Sequence, residues 1–157
     1  MTQALDVAIQ DNGWRDILPE PDTFCQHVIN AAKHHLENPK DGELSIAFVS
    51  AAEIRTLNTT YRSKDKPTNV LSFPSSGPAP ILGDIIISRE TVLAEAQQAQ
   101  ITPQDHTAHL LVHGFLHLHG YDHEVDTDAD IMEALETEIL HGLNIDNPYK
   151  INQRSEP

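Results

Sequence analysis

The segment from Thr102 to Gly120 predicts a helix whose two ends can both be recognised in the sequence. Thr102 can cap free backbone N–H groups, and Pro103 suits the first helical position because it lacks the N–H that would otherwise be unpaired. Gly120 ends the helix, since glycine tolerates the left-handed backbone that commonly follows a last helical turn. We predict that this apolar segment is the central helix of the fold.

Other segments predict a small sheet and further helices. Strands are indicated by alternation of apolar and polar residues or by branched and aromatic side chains. Helices are indicated by apolar residues at helical spacing and, at Ser50 and Glu53, by a capping box. The predicted strands cover residues 5–10, 43–50, 69–74 and 81–88, and the predicted helices cover 19–36, 51–62, 88–98, 103–119 and 127–141.

These elements predict one α+β domain with a mixed sheet of about four strands and about five helices. The connection SSGPAP between the last two strands is too short for a domain linker. The domain is expected to span residues 1–144, with a metal site at the end of the central helix. Residues 145–157 lack an apolar pattern and are expected to form a loose tail.

Cysteine content and hydropathy limit the cellular setting. Cys25 is the only cysteine, so an intramolecular disulfide and a cysteine-based zinc site are both excluded. No apolar run approaches the roughly 20 residues that a membrane helix needs, and the first residues do not resemble a secretion signal. We therefore expect a cytoplasmic protein without a membrane partner.

The charge is strongly negative but unevenly distributed. The net charge is −14, which argues against a basic protein that coats nucleic acid. No lysine or arginine lies between Arg89 and Lys150, whereas four lie within twelve residues of each other: Arg55, Arg62, Lys64 and Lys66. Any contact with a polyanion is expected to centre on these four.

The run HGFLHLHGYDH, from His113 to His123, has the spacing of a metal site. His113 and His117 are four residues apart, so a helix places both on one face, where they can bind one ion. His109 lies about 12 Å from His117 along the axis, too far to share that ion. His119 points to another side of the helix.

Because Gly120 lets the chain turn back, His123 can supply the third ligand. We predict one zinc ion bound by His113, His117 and His123, with a fourth position for water, although other divalent metals also suit three imidazoles. The alternative is that these histidines are ordinary core or surface residues. For His109 we prefer helix packing to a role in orienting a ligand.

Gly114 occupies the position of the glutamate that takes a proton from water in HExxH zinc peptidases. Peptide hydrolysis by that mechanism would therefore lack its base. A glycine within a helix also costs about 1 kcal/mol relative to alanine. We expect another group to approach the backbone there, and a bulky substrate is a candidate.

Three segments resemble the YbeY endoribonucleases, which are also described as rRNA maturation factors. They are LNTTYRSKDKPTNVLSFP, LGDIIIS and HLLVHGFLHLHGYDHE, and with their surroundings they cover most of residues 43–140 in matching order. The resemblance implies a zinc-dependent endoribonuclease that acts in maturation of the small-subunit rRNA 3′ end and in ribosome quality control. It implies rRNA and the small subunit or its precursors as partners, with a ribosomal protein or an assembly GTPase as further candidates and no DNA.

The resemblance also assigns roles to single residues. It places the metal-ligand role on His113, His117 and His123, and the catalytic arginine on Arg55. A guanidinium suits this role because its planar fork matches phosphate oxygens. The alternative for Arg55 is an ordinary surface ion pair.

Arg62, Lys64 and Lys66 would bind the RNA backbone through contacts that weaken as salt rises. The alternative for these three residues is a solvated polar loop.

Two other functions stay open at this stage. One is a non-catalytic ribosome-assembly factor stabilised by zinc, and the other is a metallopeptidase. The open fourth position favours catalysis over a structural ion, because structural zinc usually has four protein ligands.

Overall fold

The computed structural model describes residues 3–66, 68–75, 81–121 and 126–149. These residues contain one four-stranded sheet in the order β1-β2-β4-β3. Neighbours in the first three positions are parallel, whereas β3 is antiparallel to β4, so the predicted mixed sheet is confirmed. The strands are β1 (Leu5–Ile9), β2 (Glu43–Val49), β3 (Val70–Pro74) and β4 (Ile81–Ser88).

Five α-helices accompany the sheet in the described part of the chain, which confirms the α+β prediction. Their bounds lie within a few residues of those predicted, and none within the described ranges has both the length and the apolar composition needed to cross a membrane. They are α1 (Pro21–His34), α2 (Ala51–Arg62), α3 (Arg89–Ala99), α4 (Pro103–Leu118) and α5 (Asp126–Gly142). A short 3-10 helix over Asn12–Asp16 was not predicted.

Side-chain caps begin two of the helices as the sequence predicts. The Ser50 hydroxyl accepts from the Glu53 N–H at 3.2 Å, and the Glu53 carboxylate accepts from the Ser50 N–H at 3.3 Å. The Thr102 hydroxyl accepts from the Asp105 N–H at 3.0 Å. Ser88, at the start of α3, makes no such cap, and its hydroxyl instead shares a hydrogen bond with the Thr91 hydroxyl.

Side chains of a strand point alternately to the two faces of the sheet. Both faces carry apolar side chains, and both are covered by helices. On one face α2 packs on a small cluster formed by Val49, Ile54 and Leu71. The main core lies on the other face, where α4 contacts the sheet as well as α1, α3 and α5. The end of α4 therefore lies beside the edge strand β3.

Gly114 allows α4 to approach the sheet closely. A Cβ atom placed on this buried glycine would lie 3.1 Å from Cγ2 of Ile85 and 3.3 Å from two other atoms of that side chain. These distances are shorter than ordinary van der Waals contacts. The group that approaches the helix here is thus a core isoleucine of β4, and the expected substrate contact at Gly114 is wrong.

We predict that Gly114→Ala destabilises the protein. Overpacking against the buried Ile85 should cost about 1–3 kcal/mol, and alanine recovers only about 1 kcal/mol of this through its higher helix propensity. Urea unfolding followed by circular dichroism should therefore show a lower free energy of unfolding. In an Ile85→Ala background the same change should be neutral or stabilising, and equal destabilisation in both backgrounds would contradict this explanation.

Candidate metal centre and basic cleft

A cleft of about 770 Å³ lies between the end of α4, the edge strand β3 and the loop that follows α2. It brings together His113 and His117 with all three basic residues predicted to bind RNA. The described lining residues are Asn58, Arg62, Lys64, Lys66, Thr68, Asn69, Val70, Leu71, Ser72, Pro74, His113, His117, Gly120 and Tyr121.

The two histidines turn corresponding ring nitrogens towards each other. Nε2 of His113 lies 3.1 Å from Nε2 of His117, and the ring centroids are 4.6 Å apart. Two imidazoles bound to one zinc at about 2.0–2.1 Å in tetrahedral geometry would place these nitrogens about 3.3 Å apart. The pair therefore fits a shared ion with little adjustment.

The third predicted ligand, His123, lies outside the described residues. Gly120 has the positive φ of +91° that was expected where the chain leaves the helix. The described residues do not by themselves contain a group of three or more side chains arranged to hold a metal ion. The predicted three-histidine set therefore stays a prediction.

A buried carboxylate supports His113 from behind. The Glu136 side chain is fully buried, and its Oε2 lies 2.8 Å from Nδ1 of His113. Burial raises the pKa of Glu136, but hydrogen bonds from His109 and His113 outweigh this and lower it to about 2. Glu136 is therefore ionised and can only accept hydrogen bonds.

This hydrogen bond selects one tautomer of His113. Because the carboxylate must accept, Nδ1 of His113 carries a proton, and in the neutral ring Nε2 then has the lone pair. That nitrogen is the one directed towards His117. Glu136 thus prepares His113 for metal binding in the manner of the carboxylate–histidine pairs that orient zinc ligands.

Glu136 also accepts hydrogen bonds from two other groups. Nε2 of His109 lies 2.8 Å from Oε1, and the Tyr149 hydroxyl donates to the same oxygen. Burial and the negative charge of Glu136 raise the pKa of Tyr149, which keeps its hydroxyl protonated. His109, for which helix packing was preferred, is therefore linked to His113 through a shared carboxylate.

Residues 145–149 belong to the segment predicted to be a loose tail, and they contact the end of α5. The Ile145 N–H donates to the Leu140 carbonyl at 2.9 Å, and Ile145 packs against the main core. The Tyr149 hydroxyl then reaches Glu136. The rest of the predicted tail lies outside the described residues.

A buried amide holds the loop that carries the basic residues. Asn58, in α2, is 2% exposed, and its side chain donates to the Lys66 carbonyl at 3.0 Å. Its backbone carbonyl accepts from the Lys64 N–H at 3.2 Å. Fixing the loop backbone on both sides of residue 65 places Lys64 and Lys66 along the wall of the cleft.

Arg55 lies outside this cleft. It lines a separate shallow cleft, where its guanidinium forms a two-point ion pair with Asp65, with N–O distances of 2.7 and 3.2 Å. Hydrogen bonding to Arg55 lowers the pKa of Asp65. Arg55 thus neutralises the acidic residue that interrupts the basic loop, as in the surface ion pair considered as its alternative role.

His119, predicted to point to another side of the helix, makes its hydrogen bonds away from the ligand pair. Its Nδ1 bonds to the Phe115 carbonyl at 2.9 Å, and its Nε2 accepts from the Lys40 N–H at 3.0 Å. Since the pKa of His119 is lowered chiefly by burial, the ring is neutral at pH 7. This histidine fastens the end of α4 to the chain before β2.

Glu136 and Asn58 were missed at the sequence level. Glu136 had a recognisable signal, because it lies on the same face of α5 as the buried residues Met132, Ile139 and Leu140. A carboxylate within an apolar stripe needs partners, since burying an unpaired charge is very costly. Asn58 had no comparable signal, because asparagine is common near the ends of helices.

Comparisons with known proteins agree along nearly the whole chain. A family model described as "Endoribonuclease YbeY" matches residues 9–144. A protein of that name from Azorhizobium caulinodans is 48% identical over 155 residues, which cover 94% of this chain and 96% of the relative. One from Rhizobium etli is 46% identical over 162 residues, covering 93% and 92%.

A solved structure agrees with the fold as well. The solution structure of a Thermotoga maritima protein superposes with a TM-score of 0.60 at 25% identity. The match covers 98% of this chain and 93% of that chain.

We predict that Glu136→Gln weakens zinc binding by about 10- to 100-fold. Glutamine has one accepting oxygen and one donating NH₂, so it cannot accept from both imidazoles and favours the wrong tautomer of one of them. Competition between the metal-free protein and a chromogenic chelator measures the affinity. Glu138→Gln on the exposed side of α5 is the matched control, and equal affinities in both variants would contradict the role given to Glu136.

Proposed function

Because this chain belongs to the YbeY endoribonuclease family, we propose that it is a metal-dependent endoribonuclease that cleaves RNA in the basic cleft. Its proposed role is maturation of the small-subunit rRNA 3′ end, together with ribosome quality control. The proposed partners are rRNA and the small subunit or its precursors in the cytoplasm. A ribosomal protein or an assembly GTPase is a further candidate partner.

One observation carries the proposal. In a chain of net charge −14, the cleft beside the paired histidines is lined by Arg62, Lys64 and Lys66, and none of its described lining residues is acidic. A concave basic surface attracts a polyanion even when the protein as a whole is negative. The cleft therefore suits a phosphodiester backbone positioned beside the two imidazoles.

The proposed metal site uses His113 and His117, with His123 as third ligand. A zinc ion held there would supply Lewis-acid activation of water and of a phosphoryl oxygen. Glu136 contributes by keeping Nε2 of His113 unprotonated. The chain's own part is thus to hold the His113 imidazole in one tautomer and orientation while the basic loop positions the phosphate.

Arg62 is better placed than Arg55 to neutralise charge on a reacting phosphate. It lines the cleft, and its Nη2 donates to the Ser72 carbonyl at 3.1 Å, which holds the guanidinium at the β3 edge. Arg55 would have to leave Asp65 and its own cleft before meeting the same phosphate. We therefore propose the charge-stabilising role for Arg62, and the catalytic role of Arg55 stays a prediction.

The peptidase alternative receives no support from the site. A carboxylate at position 114 would extend towards Ile85 in the core, because a side chain there starts in that direction. The position adjacent to His113 is therefore used for packing, and peptide hydrolysis would need a base from elsewhere.

We predict that cleavage depends on the metal centre. Incubation of a small-subunit rRNA precursor with the protein should yield discrete fragments on a denaturing gel. Chelation or His113→Ala should abolish them, and zinc should restore cleavage only to the chelated wild type. A protein that binds the precursor but never cuts it, even at high concentration with zinc, would favour the non-catalytic assembly factor.

Substitution of the two arginines should separate their roles. We predict that Arg62→Ala lowers kcat about 10²- to 10³-fold, the usual effect of removing a group that stabilises developing charge. Arg55→Ala should lower kcat much less. The remaining loss should arise chiefly because Asp65 is left without its arginine partner near the basic loop. Single-turnover cleavage rates provide the measurement.

The double variant Arg55→Ala/Asp65→Asn provides the decisive control. If Arg55 only neutralises Asp65, removing both charges should return the rate close to that of the wild type. A double variant as inactive as Arg62→Ala would instead establish a direct role for Arg55 in the reaction.

A further inference from the structure

An exposed aromatic ring lies directly beside the basic cleft. Tyr61, in the last turn of α2, is 67% exposed, the largest exposure among the described large apolar side chains. Its ring centroid lies 5.6 Å from that of Phe73, at an angle of 59°. Phe73 itself packs on the cluster beneath α2. Tyr61 is therefore supported from below while much of its surface faces solvent.

Arg62 connects this aromatic pair to the cleft. Its guanidinium carbon lies 5.4 Å from the centre of the Phe73 ring, within the range of a cation–π contact. The same side chain lines the cleft and binds the Ser72 carbonyl at the outer edge of β3. The Tyr61–Phe73 pair therefore adjoins the cleft at the point where Arg62 lines it.

We propose that Tyr61, supported by Phe73, stacks on an unpaired base of the RNA, one step outside the cleft. An aromatic face beside a guanidinium provides both interactions that single-stranded nucleic acid needs, a surface for the base and a charge for the phosphate. The neighbouring Lys64 and Lys66 make the surroundings complementary to RNA. A paired base cannot occupy this position without leaving its helix.

This inference rests on the proposed function, and it assigns to Tyr61 the contact that recognises an unpaired base next to the scissile position. The basic residues alone would bind single-stranded and double-stranded RNA through their phosphates. Stacking on Tyr61 would favour only the strand that has a free base. The preference would thus come from α2 and the edge strand, away from the histidines.

Fluorescence can test the stacking directly and without cleavage. In Tyr61→Trp the new indole should be quenched on binding a short single-stranded oligoribonucleotide in the presence of a chelator, because a stacked base quenches indole emission. The chain's own tryptophan, Trp14, is fully buried and should not respond. Absence of quenching while the oligonucleotide is bound would overturn the proposal.

Binding affinities provide the matched comparison. Tyr61→Leu, which keeps apolar bulk against Phe73 but has no aromatic face, should weaken single-stranded binding by about 5- to 150-fold. Tyr61→Phe should bind nearly as well as the wild type, and Ile131→Ala, at another exposed apolar position, should have no effect. Blunt-ended duplex RNA should bind with equal affinity to the wild type and to all three variants.

The outcomes separate this inference from the proposed function. Equal single-stranded affinity in Tyr61→Leu and Tyr61→Phe would overturn the stacking, even if both proteins still cleave RNA. Loss of affinity in Tyr61→Leu alone would support it, even if the wild type never cleaves. Loss of duplex binding as well would indicate a general defect in folding or charge and would also overturn it.

Discussion

The close contact between α4 and the sheet at Gly114 determines where the site can form. Ile85 fills the space that any larger residue at 114 would need, so the helix lies deep against β4. The last two turns of α4 then reach the edge strand β3, and His113 and His117 face the cleft there. A helix held farther from the sheet would carry the same histidines away from the basic loop.

Acidic and basic side chains lie in different parts of the chain and have different roles. Acidic residues dominate from Glu90 onward, and one of them, Glu136, is buried where it can accept three hydrogen bonds. The positive side chains of the cleft come from the last turn of α2 and from the loop that follows it, and the acidic residue of this loop is neutralised by Arg55. The exposed ion pair between Arg55 and Asp65 adds little to the free energy of unfolding. Its effect is on the electrostatic potential nearby, where it offsets the negative charge of Asp65.

Local signals made most of the fold predictable. The Thr102 cap, the Ser50 capping box and Gly120 involve neighbouring residues, so the sequence alone identifies the helix ends. Contacts between distant segments could not be predicted from local signals, because the residues involved are far apart in the sequence. Examples are the contact of Ile85 with Gly114 and the hydrogen bond of Glu136 with His113. Arg55 and Arg62 lie two turns apart on one helix, about 10 Å along its axis. Proximity in sequence therefore could not indicate which of them reaches the cleft.

The shared carboxylate of Glu136 has a practical consequence for handling the protein. Its third hydrogen-bond donor, Tyr149, comes from a segment that a sequence-based domain boundary at residue 144 would remove. Trimming the chain there would deprive the buried Glu136 carboxylate of a hydrogen-bond donor. The carboxylate that orients His113 would thus be perturbed by the loss of Tyr149, which lies 36 residues after that histidine in the sequence (113 to 149). Affinity tags and fusions are better attached before β1, and crystallographic trimming should retain the chain through Tyr149.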